Sequence, residues 1–156
     1  MKKTVLIALL TVFSVSMYAQ SYDKSIGLRL GKPVGLTYKQ FVTNQNAIEA
    51  IVDLDFFTEH TFKLGVSGFY VWQWNLAGVQ GLDWFVGPGA SAGLFFVDVA
   101  GVKSSDFNVS LDGLIGLEYK FAGIPLALGA DFGPRFYFLN DAGFYWGGAL
   151  SVRYTF

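Results

Sequence analysis

The chain has 156 residues, a formal net charge of -1 at pH 7 and no cysteine. These features exclude disulfides, thiolate metal sites and a cysteine nucleophile, and the near-balanced charge offers no electrostatic basis for binding nucleic acid. Only 15% of the residues are charged, whereas 53% are hydrophobic and 18% are aromatic. This composition favours contact with lipid or a very large core, and the length suits one domain.

The first predicted element is an N-terminal export signal. Lys2 and Lys3 precede an apolar run, "TVLIALLTVFSVSMYAQ", that ends in small and polar residues. This order is typical of a secretory signal peptide, and the run is short for a transmembrane anchor. We therefore predict a signal over residues 1–19, cleaved after Ala19 or one or two residues later, and a single domain over residues 20–156.

Segments in which apolar and polar residues alternate make up most of the remaining chain. A period of two places successive side chains on opposite faces of a β-strand. Residues 44–54 also allow a helical spacing, but we assign them to a strand because the neighbouring segments are strands. The longest polar connection is Asp98–Asp106. The eight predicted strands cover residues 25–31, 34–42, 47–57, 62–74, 82–96, 108–120, 126–138 and 144–156.

The polar face of these strands combines glycines, such as Gly89 and Gly129, with charges of both signs. Glycine weakens a strand whose face meets water, whereas the interior of an eight-stranded barrel is just wide enough to be filled by side chains. Buried charges require partners of the opposite sign. We therefore predict a charge network in the lumen formed by Arg29, Glu49, Asp53, Asp112, Glu118, Arg135 and Arg153.

Aromatic residues cluster near the predicted strand ends. Trp84 and Phe85 begin one strand, and Phe136–Phe138 and Phe144–Trp146 flank a turn. Membrane barrels carry such aromatic girdles at both interfaces, with the apolar face toward lipid and the polar face toward the lumen. Together with the even number of strands, this pattern predicts an all-β fold, an eight-stranded antiparallel up-and-down transmembrane β-barrel.

The stretches "GLRLGKPVGLTYKQF", "LDGLIGLEYKFAGIPL" and "ALSVRYTF" resemble small eight-stranded outer-membrane barrels of the OmpA/OmpX type from Gram-negative bacteria. The resemblance implies a location in the outer membrane. It also implies contact with outer-membrane lipids and lipopolysaccharide, and assembly by the secretion and barrel-assembly machinery. In such families a terminal aromatic residue with alternating apolar residues before it resembles the assembly signal, which here matches Val152, Tyr154 and Phe156.

Three functions fit the sequence. The first is a monomeric outer-membrane barrel with a structural or interaction role, without enzymatic activity, cofactor or metal. The second is a soluble periplasmic, lipocalin-like barrel that binds an apolar ligand with its apolar face inward. The third is a lipid A-modifying enzyme, which would use His60, the single histidine, near Glu59. We disfavour the enzyme because no nucleophile motif accompanies that histidine.

Overall fold

The computed structural model describes residues 22–32, 34–58, 61–76, 78–99, 102–139 and 143–156. The predicted signal over residues 1–19 therefore lies outside the described residues. Within them, no helix is long and apolar enough to cross a membrane. The eight strands are Lys24–Lys32 (β1), Val34–Phe41 (β2), Asn46–Thr58 (β3), Thr61–Asn75 (β4), Leu82–Val99 (β5), Val102–Lys120 (β6), Leu126–Tyr137 (β7) and Gly143–Thr155 (β8).

The strands form one closed, antiparallel barrel. Each strand pairs with the next in sequence, and β8 pairs with β1 so that Ser25 lies opposite Thr155. The predicted up-and-down eight-stranded barrel is confirmed, and the segment with ambiguous helical spacing forms β3. Lys24 and Phe156 exchange backbone hydrogen bonds of 2.9 Å. We call this the termini end of the barrel and the opposite one the far end.

The apolar face of the barrel points outward. Along β1, Ile26, Leu28 and Leu30 are 50%, 52% and 52% exposed, whereas Ser25 and Arg29 on the other face are buried. This is the inverse of a soluble barrel, in which the apolar face is covered, and it is the arrangement of a barrel surrounded by lipid. The predicted alternative of a lipocalin-like barrel with an apolar interior is therefore wrong.

The strands differ in length, and this corrects one prediction. The polar connection predicted over Asp98–Asp106 is instead mostly strand, since Asp98 pairs with Lys103 and Val99 with Val102. As a result β5 and β6 have 18 and 19 residues, against 9 and 8 in β1 and β2. The ladder continues through a stretch of polar sequence because strand pairing uses backbone groups, which hydropathy does not report.

Candidate functional site

The barrel lumen is filled by ionisable side chains. They lie at inward positions of every strand except β5, and successive inward residues of a strand are two positions apart. All are buried except Arg135, whose side chain is 19% exposed. Among the side chains that the structure describes, these cations and carboxylates are equal in number, which suits an interior where an unpaired charge is costly. The cations are Arg29, Lys39, Lys63, Arg135 and Arg153, and the carboxylates are Glu49, Asp53, Asp112, Glu118 and Asp131.

Arg153 is the centre of the ion pairs nearer the termini end. Its Nη2 atom donates to Glu49 Oε1 at 2.5 Å, and its Nη1 atom donates to Glu118. Lys39 Nζ lies 3.4 Å from Glu118 Oε1, and the Thr37 hydroxyl donates to Glu49 Oε1 at 2.6 Å. One guanidinium thus joins two carboxylates from β3 and β6, and no side chain in this group is more than 1% exposed.

Two uncharged residues complete this group and were not predicted. The Tyr22 hydroxyl donates to Glu118, and Gln73 Nε2 donates to the same carboxylate at 3.1 Å. Tyr22 precedes β1 and packs edge-on against Phe41, with ring centroids 5.2 Å apart. Burial, together with the Glu118 charge, raises the pKa of Tyr22 well above its usual range, so the phenol stays a donor. Tyr22 lies outside the alternating pattern, so its position in the lumen could not be predicted from that pattern.

The far half of the lumen contains separate ion pairs. Arg29 pairs with Asp131, and Arg135 Nε donates to Asp112 Oδ1 at 3.1 Å. Ser110 donates to the same Asp112 oxygen at 2.8 Å. The ion pairs thus join β1 to β7 and β6 to β7, so they hold one wall of the barrel and do not form one continuous chain of charges.

Asp53 and Lys63 each form a hydrogen bond with a neutral side chain. The Ser67 hydroxyl donates to Asp53 Oδ2 at 3.2 Å, and Lys63 Nζ donates to the Tyr137 hydroxyl at 2.7 Å. Tyr137 therefore contacts the lumen, and its predicted place in an aromatic girdle is wrong.

The seven residues of the predicted network are brought together only in part. Glu49, Glu118 and Arg153 form one group, and Asp112 and Arg135 form another. Arg29 binds Asp131, a residue outside the predicted seven. Among the described residues Asp53 has no carboxylate-to-cation contact within 4.0 Å, although it lies in the same lumen.

An apolar cluster occupies the lumen beside β3, β4, β5 and β6. Phe85 is fully buried within it, so its predicted place in an aromatic girdle is also wrong. The Lys39 ammonium lies 4.8 Å from the centroid of the Phe85 ring, which adds a cation–π contact to its ion pair. The cluster consists of Ala47, Ile51, Phe69, Val71, Phe85 and Leu114.

Glycines provide the space for the large side chains of the lumen. A Cβ atom on Gly89 would lie 2.6 Å from Phe69 Cε1, and one on Gly129 would lie 3.1 Å from Arg153 Nη1. In both places an ordinary side chain would displace its large neighbour. The close packing of the lumen therefore depends on these small positions.

We expect Gly89→Val to lower the free energy of unfolding by about 1–3 kcal/mol, because a Cβ atom there overlaps both the Phe69 ring and the Gly68 carbonyl oxygen. Gly68→Val is the matched control, since a Cβ atom there would meet nothing within 4 Å, and this substitution should be neutral or slightly stabilising. Urea unfolding in lipid vesicles measures both changes. Equal effects of the two substitutions would contradict this packing.

Aromatic residues on the outer face form two groups at the ends of the barrel. Trp74 and Trp84 stack at the termini end with centroids 4.7 Å apart. At the far end Phe144 packs edge-on against Phe136 at 4.6 Å and against Trp146 at 5.4 Å. Their positions are those of the two interfacial girdles of a membrane barrel.

The residues of the predicted assembly signal lie on the outer face at the termini end. Val152, Tyr154 and Phe156 are 42%, 51% and 56% exposed, and the rings of Tyr154 and Phe156 stack with centroids 6.0 Å apart. Nothing in the folded barrel covers these side chains among the described residues. They are therefore open to lipid or to another protein.

The hypothesis of a lipid A-modifying enzyme rests on His60 and Glu59. His60 and Glu59 both lie outside the described residues. Among the described residues, no group of three or more histidine or acidic side chains could hold a metal ion.

Two solved structures are similar to this chain. The N-terminal β-barrel domain of Pseudomonas aeruginosa OprF matches with a TM-score of 0.66 and 15% identity, over 85% of this chain and 95% of that domain. Neisserial surface protein A (NspA) matches with a TM-score of 0.61 and 12% identity, over 86% of this chain and 94% of NspA. No model of a known protein family and no curated protein matches the sequence. The chain therefore has the fold of the small eight-stranded barrels represented by OprF and NspA, as the sequence predicted.

Proposed function

We propose that this chain is an outer-membrane protein of a Gram-negative bacterium and spans the membrane as a monomeric barrel. The observation that carries the proposal is the inverted distribution of side chains, with apolar residues exposed on the outside and ion pairs inside. In water, so large an exposed apolar surface would drive aggregation, whereas in lipid it is the stable arrangement. The similarity to OprF and NspA supports the same location.

Export through a cleaved signal over residues 1–19 belongs to this proposal. In the orientation that we propose, the termini end faces the periplasm and the far end faces the outside of the cell. The partners are outer-membrane lipids, lipopolysaccharide, and the secretion and barrel-assembly machinery, and nucleic acid is not among them.

Cell fractionation tests the proposed location. The protein should sediment with the outer membrane, resist carbonate extraction and migrate faster on gels when it is not heated. Recovery in the soluble periplasmic extract would contradict the proposal.

We further propose a structural or interaction role without transport or catalysis. The lumen is closed by Arg153, Glu118 and Lys39 on one side and by the Phe69 and Phe85 rings on the other. Such a filled interior leaves no continuous aqueous path. In planar bilayers we therefore expect no steady conductance. In a separate test of catalysis, the mass spectrum of lipid A incubated with the protein should be the same as that of lipid A alone. A steady ion-selective current would contradict the closed lumen, and a changed lipid A would contradict the absence of catalysis.

We also propose that Val152, Tyr154 and Phe156 form the signal for barrel assembly. Deletion of Phe156 should leave export intact but reduce insertion into the outer membrane. Phe156→Ala keeps the backbone hydrogen bonds with Lys24 and should reduce insertion as well, because the ring points outward and makes no inward contact that the folded barrel needs. The ratio of heat-modifiable to unfolded protein in the envelope measures the effect. Removal of the exposed loop residue Val79 is the control. Normal insertion without Phe156 would contradict this assignment.

A further inference from the structure

Four side chains on neighbouring strands form a continuous line of oxygen contacts in the far half of the lumen. Asp53 Oδ2 on β3 lies 3.2 Å from Ser67 Oγ on β4, and Ser67 Oγ lies 2.8 Å from Ser91 Oγ on β5. Ser91 Oγ also contacts Asp112 Oδ2 on β6. We call these four residues the serine bridge, and they link β3, β4, β5 and β6 through side chains.

The serine bridge contains one contact more than its hydroxyl groups can fill with hydrogen bonds. A serine hydroxyl has a single proton to donate, and an ionised carboxylate has none. Ser67 and Ser91 therefore supply two protons for three oxygen-to-oxygen contacts. If both carboxyl groups were ionised, one of the three contacts would place two lone pairs against each other. A third proton, on one of the two carboxyl groups, gives every contact its hydrogen.

Asp112 is the ionised member of the bridge. Arg135 Nε donates to its Oδ1 atom at 3.1 Å, and the Ser110 hydroxyl donates to the same atom at 2.8 Å. The charge of Asp112 is therefore paired and hydrogen-bonded. Protonation of this carboxylate would deprive the arginine of its counter-charge in a closed interior, which is costly.

Asp53 lacks such partners. It is buried, and among the described residues no donor contacts its Oδ1 atom and no cationic atom lies within 4.0 Å of its carboxyl group. The space beside it has a volume of about 10 Å³, which is enough for one water molecule at most. An ionised carboxylate is costly to bury under these conditions, so the third proton belongs on Asp53.

The titratable groups that face Asp53 have partners of their own. They are Arg29 on β1, Lys63 on β4, Asp112 on β6, and Arg135 and Tyr137 on β7. Each arginine is bound to another aspartate. Lys63 Nζ donates to the Tyr137 hydroxyl and lies 4.9 Å from the centroid of that ring, a cation–π contact. The strands β2 and β5 place the uncharged residues Gly35 and Ser91 near Asp53. A neutral Asp53 therefore deprives no cation of its contacts.

We propose that Asp53 carries a proton in the folded barrel at neutral pH, and that this proton makes the serine bridge a pH-sensitive clasp between β3 and β6. The Asp53 carboxyl group donates to Ser67, Ser67 donates to Ser91, and Ser91 donates to Asp112. The hydrogen bond between Asp53 and Ser67 thus runs opposite to the bond that an ionised Asp53 accepts. Loss of the proton in an alkaline medium leaves one contact of the bridge without a hydrogen and weakens the attachment of β5 and β6, the two longest strands.

The pH dependence of stability in Asp53→Asn tests the proposal, because asparagine has the shape and the neutral charge of the protonated side chain and donates to Ser67 in its place. In the unfolded chain Asp53 loses its proton above about pH 4. The unaltered protein must therefore take up a proton when it folds, whereas the variant does not. In urea unfolding at pH 5, 6 and 7 in lipid vesicles, the folding equilibrium constant of the variant, divided by that of the unaltered protein, should rise about tenfold per pH unit.

Asp112→Asn is the matched control at the other end of the serine bridge. Because Asp112 is ionised in both the folded and the unfolded chain above pH 5, this ratio should be below one and constant from pH 5 to pH 7. A constant or falling ratio in Asp53→Asn would overturn the proposal. A rising ratio in Asp112→Asn would overturn it too, since the proton would then lie on that carboxyl group.

Infrared spectroscopy of the unaltered protein is the second measurement should Asp53→Asn not fold. A carboxylic acid has a carbonyl stretch that ionised carboxylates lack, and this band should be present in the folded barrel at pH 7. It should shift when the protein is made with carbon-13 aspartate but not with carbon-13 glutamate, and Asp112→Asn should retain it. Absence of the band, or a band that shifts with labelled glutamate, would contradict a proton on Asp53.

Discussion

Replacement of Arg153 by methionine should lower the free energy of unfolding by about 3–5 kcal/mol, the largest effect of any single substitution considered for this chain. The guanidinium pairs with both Glu49 and Glu118, and all three side chains are 1% exposed. Methionine fills a similar volume but leaves two carboxylates in a closed interior with Lys39 as the nearest cation. The cost is therefore the burial of uncompensated charge.

Urea unfolding in lipid vesicles, followed by tryptophan fluorescence, measures this loss. Lys24→Met is the matched control, because Lys24 is an exposed cation on the neighbouring strand β1, and its removal should change stability by less than about 0.5 kcal/mol. A loss below about 1 kcal/mol in Arg153→Met would show that the lumen is hydrated enough to solvate the two carboxylates.

Leu28→Arg should destabilise the barrel by about 2–4 kcal/mol, the cost of a cation near the middle of a bilayer. Leu28 is 52% exposed and lies midway along β1, between Lys24 and Lys32 at the strand ends. In a water-soluble protein the same change of an exposed leucine would be close to neutral. The size of the effect therefore reports whether lipid or water covers this face.

Val79→Arg is the control for the effect of the charge itself. Val79 is 45% exposed but lies in the loop between β4 and β5, outside the barrel wall, and its substitution should change stability by less than about 0.5 kcal/mol. Reversible unfolding in vesicles gives both values. Equal effects at the two positions would argue against a lipid-covered barrel.

The fold was predictable because each strand has one apolar and one polar face over most of its length. That pattern identified all eight strands, and the small and charged residues of the polar face placed it in the lumen. The tips of β5 and β6 were missed because residues 103–106 of β6 are four polar residues in succession, which places polar side chains on both faces there. Phe85 and Tyr137 were misplaced because an aromatic ring near a strand end suits either an interface or a packed lumen.

The sequence predicted which charged residues face the lumen, but not which of them form ion pairs with one another. Period two assigns Arg29, Asp131 and Arg153 to one face, yet the partners are brought together by closure of the barrel. Arg29 and Asp131 lie on strands that are far apart in sequence, so register and curvature decide which charges meet. Tyr22 shows the same limit, because its contact with Glu118 is made by a residue that precedes the first strand.

Spin labels along β8 test the central claim, that lipid covers the apolar face and side chains fill the lumen. The chain has no cysteine, so single cysteines at positions 149–152 carry one label each. In vesicles, labels at the outward positions Leu150 and Val152 should collide with oxygen dissolved in lipid, whereas labels at the inward positions Ala149 and Ser151 should be shielded from oxygen and from a water-soluble nickel complex. Two results would contradict this account. The first is access of the nickel complex to positions 150 and 152 with oxygen exposure at positions 149 and 151. The second is oxygen exposure that does not alternate along β8.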